Sequence, residues 1–135
     1  LKELTADELT YCQTAVANWK RLQNAIMDGD QYRLVSPYEG NHMALNYVSK
    51  DTNKAVLFAY DIHPRFQEKL LAVKLEGLDP PNRQYKVEEI NLMPAASSGL
   101  AANGKVYSGD YLMKVGLDVF GLGQTQSRVI ELTAQ

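Results

Sequence analysis

The spacing of apolar residues changes once along this chain, near Gly29, and this change constrains the fold more than any other feature of the sequence. Before Gly29, apolar side chains recur at steps of three and four residues, which is typical of one face of an α-helix. After Gly29 they occur in short alternating runs separated by turn-forming residues, which is typical of antiparallel strands. Strands do not alternate with helices, as they would in a parallel sheet. We therefore expect a mainly β protein with one helix at its N-terminus.

The segment 5–28 predicts a single long helix. Thr5 and Glu8 have the spacing of a capping box, in which each side chain accepts a hydrogen bond from the other residue's backbone amide. Gly29 predicts a left-handed C-cap at the end of this helix. The apolar stripe of the helix consists of Leu9, Cys12, Val16, Trp19, Leu22 and Ile26. Because an exposed stripe of this size seeks a partner, we expect helix 5–28 to fold onto the β region or to mediate self-association.

Short candidate strands fill the rest of the chain. They are 32–36, 43–49, 55–60, 70–75, 85–90, 106–107, 111–115 and 128–133, with 119–120 as part of another. Turn residues separate the strands, as at 51–54 between the second and third, which predicts a hairpin there. This spacing predicts an antiparallel β-sandwich of Greek-key type with about seven or eight strands, preceded by one long N-terminal α-helix.

Charge and composition exclude several classes of protein. The 135 residues contain 14 Lys plus Arg against 16 Asp plus Glu, a net charge of −2, which argues against a nucleic-acid partner. The single cysteine excludes an internal disulfide and a zinc site built from cysteine pairs. Uncharged apolar runs fall far short of the ~20 residues that span a bilayer, so no membrane partner is expected.

The chain begins with Leu1 rather than Met, and no signal peptide is recognisable at its start. We therefore expect a processed chain or a piece of a longer protein. Its compartment stays open between cytoplasm and periplasm or secretion, because a targeting segment would lie upstream.

Residue types that carry chemistry are scattered rather than grouped. His42, His63 and Cys12 are the candidate metal ligands, but neither histidine has a second ligand three or four residues away, so no zinc site is expected. Ser36 and residues 97–98 lack the GxSxG context of a nucleophilic serine. The GxG at 121–123 has no following helix and no third glycine, and is interpreted as a flexible linker rather than a phosphate cradle.

The carboxylates do not predict a glycosidase pair either. Glu88 and Glu89 are adjacent, so on a strand they point to opposite faces and do not form a facing pair by themselves. Other acidic residues stand beside turns, where aspartate usually caps locally: Asp61, Asp110 and Asp118. The sequence therefore predicts no catalytic, cofactor-binding or metal-binding residue, and no cofactor.

Tyrosine is abundant, with eight in the chain. Seven of them lie in the β region: Tyr32, Tyr38, Tyr47, Tyr60, Tyr85, Tyr107 and Tyr111. Tyrosine stacks well on sugar rings because it combines an apolar face with a polar tip. Its high strand propensity explains the same abundance without a ligand. A carbohydrate-binding module that uses exposed tyrosines therefore stays open as an alternative.

Four segments in this order resemble one enzyme family. They are 29–38 (GDQYRLVSPY), 55–60 (AVLFAY), 108–117 (SGDYLMKVGL) and 127–132 (SRVIEL). Together they resemble the C-terminal end of family 36 glycoside hydrolases, the α-galactosidases, and the resemblance covers almost the whole chain.

In that family a large β domain, a (β/α)8 catalytic barrel and a C-terminal antiparallel β domain follow one another. The resemblance implies that residues 1–29 correspond to the last barrel helix and residues 30–135 to the C-terminal β domain. The two catalytic aspartates of this retaining family lie on barrel strands, upstream of anything in this chain, so no catalytic residue carries over. The resemblance thus implies a segment that is inactive alone, supports the barrel of a parent enzyme acting on terminal α-galactosides, and contributes to subunit contacts. An unrelated interaction domain that docks through its helix is the remaining alternative.

Overall fold

The structure, a computed structural model, describes residues 3–63, 65–67, 70–120 and 127–135. Within these residues one long helix is followed by six strands, with a short helix between the fifth and the sixth strand. The elements are α1 (Ala6–Met27), β1 (Asp30–Val35), β2 (His42–Val48), β3 (Lys54–Asp61), β4 (Gln84–Glu89), β5 (Val106–Ser108), α2 (Gly109–Lys114) and β6 (Ser127–Ala134).

The strands form a single antiparallel sheet in the order β1-β2-β3-β6-β4-β5. The first three are joined by consecutive hairpins, whereas β6, last along the chain, pairs with both β3 and β4. The mainly β class, the N-terminal helix and the antiparallel pairing are confirmed. The predicted strand count was slightly too high, since six strands are described instead of seven or eight.

Two of the predicted strands account for this difference. Residues 111–115 were expected to be a strand, but they belong mostly to α2, which Ser108 caps by accepting a hydrogen bond from the Tyr111 amide. Residues 70–75 run without a ladder and make an isolated bridge between Val73 and Leu117. A short helix therefore takes the place of one predicted strand, and extended chain takes the place of the other.

The core lies on one side of the sheet, which we call the core face. Alternate residues of the strands point into it, among them Leu57, Tyr85, Ile130 and Leu132, all fully buried. The segments between β3 and β4, between β4 and β5, and between β5 and β6, the last of which includes α2, cover this face. Their buried side chains are Val73, Leu75, Leu78, Leu100, Ala102, Leu112, Leu117, Val119 and Phe120.

The opposite side of the sheet, which we call the helix face, receives α1. The predicted capping box is confirmed: Thr5 Oγ1 accepts from the Glu8 amide at 3.2 Å, and the Thr5 amide donates to Glu8 Oε2 at 2.7 Å. Near the other end of the helix, Leu22 and Ala25 are buried against the sheet. The helix that was predicted over 5–28 is therefore present and does fold onto the β region.

Gly29, which joins α1 to β1, has a role other than the predicted one. The helix ends at Met27 with Asp28 as its C-cap in the right-handed region, and Gly29 is not among the described glycines with positive φ. A Cβ on Gly29 would lie 2.1 Å from the Ala25 carbonyl oxygen and 2.4 Å from that of Val48. The left-handed C-cap was therefore a wrong prediction, and glycine is needed because the chain passes between two carbonyl groups.

Candidate functional surface

The helix α1 is held on the sheet by its C-terminal half. Besides the burial of Leu22 and Ala25, Asn18 Nδ2 donates to the Ile90 carbonyl at 3.3 Å, and Arg21 forms a hydrogen-bonded ion pair with Glu131. The N-terminal half of the helix is exposed along its length. The sheet therefore holds the C-terminal half of α1 and leaves most of its N-terminal half exposed.

Glu131 is the electrostatic centre of this attachment. Its side chain is 5% exposed, and its Oε1 also accepts from Lys54 Nζ at 2.6 Å. Burial on its own would raise the pKa of the Glu131 carboxyl, but the hydrogen bonds and positive charges of Arg21 and Lys54 outweigh burial and lower it. The same contacts raise the pKa of Arg21, chiefly through its hydrogen bond to Glu131. Glu131 is thus an ionised group that ties α1 to the centre of the sheet.

An uncovered apolar surface lies beside α1. The helix contributes Leu9, Cys12, Val16 and Trp19, and the neighbouring strands contribute Met43, Leu45, Tyr47 and Tyr60. We call these eight residues the apolar corner. Trp19 is 48% exposed and Val16 54%, so the predicted apolar stripe is exposed from Leu9 to Trp19, buried at Leu22 and half-buried at Ile26. Trp19 and the four strand residues line a common hollow of ≈ 850 Å³, open on one side.

The predicted metal candidates do not come together. His42 Nδ1 lies 2.7 Å from Asp61 Oδ1, and the His42 ring stacks on Phe120 with centroids 4.5 Å apart. Cys12 is exposed on α1, far along the chain from both histidines. Among the described residues no group of three or more His, Cys, Asp or Glu side chains is placed to hold a metal ion. The GxG at 121–123 lies outside the described residues.

The carboxylates at 88 and 89 point in opposite directions, as the sequence predicts. Glu88 pairs with Lys86 at 2.7 Å on the half-exposed side of β4. Glu89 is buried on the core face, where its Oε2 accepts from Arg128 Nη1 at 2.6 Å and from Ser98 Oγ. This buried ion pair was not predicted from the sequence, although the alternation of Tyr85, Val87 and Glu89 places Glu89 on the same side of its strand as two apolar residues. Like Glu131, Glu89 is bound inside the chain, in its case by one cation, Arg128, and one hydroxyl group, that of Ser98.

The tyrosines are distributed in a way that strand propensity and packing account for. Tyr85 is fully buried, and its hydroxyl donates to the Thr52 carbonyl at 2.8 Å. Burial is the main reason that the pKa of Tyr85 is raised. Tyr107 and Tyr111 stack on one another with centroids 5.0 Å apart, whereas Tyr38 stands almost alone at 97% exposure. This arrangement gives the carbohydrate-binding alternative no support.

Neither described helix combines the length and apolar character needed to cross a membrane.

This chain is similar in sequence and in fold to α-galactosidases of glycosyl hydrolase family 36. Residues 42–132 match the model of the glycosyl hydrolase family 36 C-terminal domain. The probable α-galactosidase C of Aspergillus flavus is 32% identical over 133 residues, which are 98% of this chain and 16% of that relative. The crystal structure of the GH36 α-galactosidase AgaB from Geobacillus stearothermophilus superposes with a TM-score of 0.80 at 29% identity, covering 100% of this chain and 17% of that one. A variant of AgaA from the same organism, in complex with raffinose, gives a TM-score of 0.79 at 26% identity, covering 100% of this chain and 17% of that one.

The fold and the family match together define a C-terminal β domain of a glycoside hydrolase. The chain belongs to glycosyl hydrolase family 36, in which it is the C-terminal domain. It spans about one-sixth of the length of the relatives that it matches.

Proposed function

We propose that this chain is the non-catalytic C-terminal domain of an α-galactosidase and that it supports the catalytic part of that enzyme. The observation that carries the proposal is the family match over residues 42–132 together with relatives named α-galactosidase along nearly the whole chain. Those relatives are about six times as long as this chain, so most of each relative lies outside the matched region.

The positions of the buried carboxylates support an inactive domain. A glycosidase places two carboxyl groups about 5–9.5 Å apart on either side of the scissile bond. Here Glu89 lies on the core face under Arg128, and Glu131 lies on the helix face between Arg21 and Lys54. Both are bound to internal cations, and the sheet itself separates them, so they have no common space in which a sugar would sit.

The division of the chain at the end of α1 belongs to the same proposal. Residues 1–29 would be the last helix of the catalytic barrel, and residues 30–135 the β domain that follows it. The partial covering of α1 supports this division, because a helix shared by two domains has one side on each. Self-association through helix 5–28 is the competing arrangement.

Hydrolysis of an aryl α-galactoside and of raffinose tests the proposal. The purified 135-residue chain is expected to give no turnover above a buffer control, whereas the longer protein that contains it is expected to hydrolyse both. Turnover that co-purifies with the isolated chain would refute the non-catalytic role. An inactive longer protein would refute the assignment of the parent activity.

A further inference from the structure

We infer that Asn103 is a covalent modification site of this chain: its side-chain amide is lost to attack by the Gly104 backbone nitrogen, and the folded domain restrains the reaction by binding both reacting groups to β4. This inference goes beyond the proposed function and does not depend on the activity of the parent enzyme.

Asn103 and Gly104 form the single Asn-Gly pair of the sequence. The side-chain amide carbon of an asparagine reaches the backbone nitrogen of the next residue by closing a five-membered ring, and a glycine in that position has no side chain to hinder the approach. Both residues are exposed, and nothing lies within 4 Å of a Cβ placed on Gly104. Water therefore reaches the pair, and crowding does not prevent ring closure.

The reaction needs no partner other than water. The Gly104 nitrogen gives up its proton and bonds to Cγ of Asn103, while the bond from Cγ to Nδ2 breaks and Nδ2 takes up that proton and leaves as ammonia. Water then opens the resulting succinimide ring at one of its two carbonyl carbons. Opening at Cγ gives aspartate, whereas opening at the main-chain carbonyl carbon gives isoaspartate, in which the backbone runs through the former side chain.

The attacking nitrogen is bound to β4 in the folded chain. The Gly104 amide donates to the Val87 carbonyl at 2.7 Å, and the Val87 amide donates to the Lys105 carbonyl at 2.9 Å. An amide proton in such a pair becomes available to solvent only when the pair opens. Gly104 is therefore a poor nucleophile for as long as its turn stays paired with β4.

The amide that is attacked is bound two residues further along β4. Asn103 Oδ1 accepts from the Glu89 amide at 2.8 Å, so this side chain replaces a strand carbonyl just before β5 begins at Val106. The Asn103 amide donates to the Leu100 carbonyl at 3.0 Å, which holds the backbone of the turn as well. Ring closure therefore requires the turn to leave β4 first.

The two products have different effects on the turn. Aspartate keeps a side-chain oxygen that accepts from the Glu89 amide, whereas isoaspartate adds a carbon to the main chain and changes the spacing between the two contacts on β4. The Glu89 amide lies next to the core, because the carboxylate of the same residue is 2% exposed and pairs with Arg128. A partly buried amide without an acceptor is destabilising, so isoaspartate should hinder the turn from closing again.

Glu39→Asn supplies a matched control within the same molecule, because it creates a second Asn-Gly pair at 39–40. This turn is exposed, nothing lies within 4 Å of a Cβ on Gly40, and the Gly40 amide makes no hydrogen bond to another backbone group of the described residues. The two pairs thus share the same chemistry and differ in whether the fold binds the attacking nitrogen.

Timed peptide mapping of the Glu39→Asn chain tests the inference. The chain would be incubated in one mildly alkaline buffer, folded without urea and unfolded with urea, and both sites quantified by mass spectrometry. We expect Asn103 to react slower by about tenfold or more in the folded chain than in the unfolded chain. The introduced pair at 39–40 is expected to react at similar rates in both.

Amide hydrogen exchange gives a second readout that an unspecific effect of urea would not produce. Exchange of the Gly104 amide and ring closure both require its bond to Val87 to open, so the two reactions should be slowed by factors that agree within about threefold. A Gly104 amide that exchanges freely in the folded chain would contradict the role of this bond.

Three results of the peptide mapping would overturn the inference. Equal rates at Asn103 in the folded and unfolded chains would mean that the turn does not restrain the reaction. Equal slowing of both Asn-Gly pairs would mean that folding acts generally rather than through β4. No loss of ammonia from Asn103 even in the unfolded chain would mean that it is not a modification site. None of these measurements uses α-galactosidase activity, so the proposed function is tested independently.

Discussion

The buried pair of Glu89 and Arg128 is the residue-scale feature with the largest expected effect on stability. Both side chains are almost fully buried, at 2% and 4% exposure, and Ser98 adds a further hydrogen bond to the carboxylate. A buried pair of this kind gives little net stability compared with apolar residues of similar size, but removing one partner leaves a buried charge without compensation. The pair therefore makes each of its members intolerant of single substitution.

Arg128→Met is expected to lower the free energy of unfolding by about 3–5 kcal/mol, because it leaves the Glu89 carboxylate buried in the core without a cation. Adding Glu89→Leu should recover much of that loss, since the double variant contains no buried charge. Urea denaturation of the isolated chain measures both values. Lys86→Met, which removes the partner of the half-exposed Glu88 on the same strand, is the control and should cost no more than about 1 kcal/mol. A double variant as unstable as the single one would contradict the interpretation.

The ion pairs of Glu131 are expected to make the free energy of unfolding fall in acid. Its pKa is lower in the folded chain than the ordinary value of 4.5 that it regains on unfolding, so the unfolded state binds the proton more tightly. The stabilisation is therefore complete above pH 4.5 and is lost as the pH falls through the lower pKa of the folded state. Unfolding of the isolated chain followed between pH 6 and pH 2.5 should show this dependence, weakened by the partial exposure of Arg21.

Glu131→Gln is expected to flatten this part of the pH profile and to cost about 1–2 kcal/mol near neutral pH, since a neutral amide bonds Arg21 and Lys54 more weakly. Asp30→Asn, which removes the exposed partner of Lys50, is a control that should leave the acid slope nearly unchanged. An unaltered slope in Glu131→Gln would show that other carboxyl groups control the acid transition.

At the scale of elements, the junction between α1 and β1 depends on Gly29. Gly29→Ala is expected to lower the free energy of unfolding by about 1–3 kcal/mol, because the new methyl group would collide with the carbonyl oxygens of Ala25 and Val48. Gly40→Ala is the matched control, since nothing lies within 4 Å of the Cβ there and its effect should be within about 0.5 kcal/mol. Thermal unfolding of the two variants side by side checks this. Equal effects would mean that backbone entropy rather than collision determines the requirement at 29.

The elements that were predictable from sequence are those with strong local signals. The helix over 5–28 has a capping box and a regular apolar stripe. On either side of a polar turn, β2 alternates and β3 is continuously apolar and buried on both faces. The segment 111–115 was misjudged because its apolar residues were interpreted as a strand. Ser108 at the N-cap and the pair of Asp110 with Lys114 at 2.8 Å are short-range helix signals that this interpretation left out.

At the scale of the whole molecule, the apolar corner could not be predicted from sequence. The stripe on α1 was visible, but which part of it meets the sheet depends on where the helix lies over β1, β2 and β3. The strand side of the corner depends on the order of the strands, since Leu45 and Tyr60 become neighbours only through pairing of β2 with β3. The placement of the helix and the order of the strands both result from long-range packing. The family resemblance, in contrast, rested on short segments that can be read directly in the sequence.

The position of β6 has a consequence for the synthesis of the protein. Of the six described strands β6 is the last to be translated, yet it lies in the middle of the sheet and hydrogen-bonds to β3 on one side and β4 on the other. Until it emerges, β3 and β4 present unpaired edges of the kind that invite aggregation, and much of the core stays open. The domain therefore completes its sheet only once β6 has been translated, and a chain that ends before Ser127 lacks the centre of its sheet.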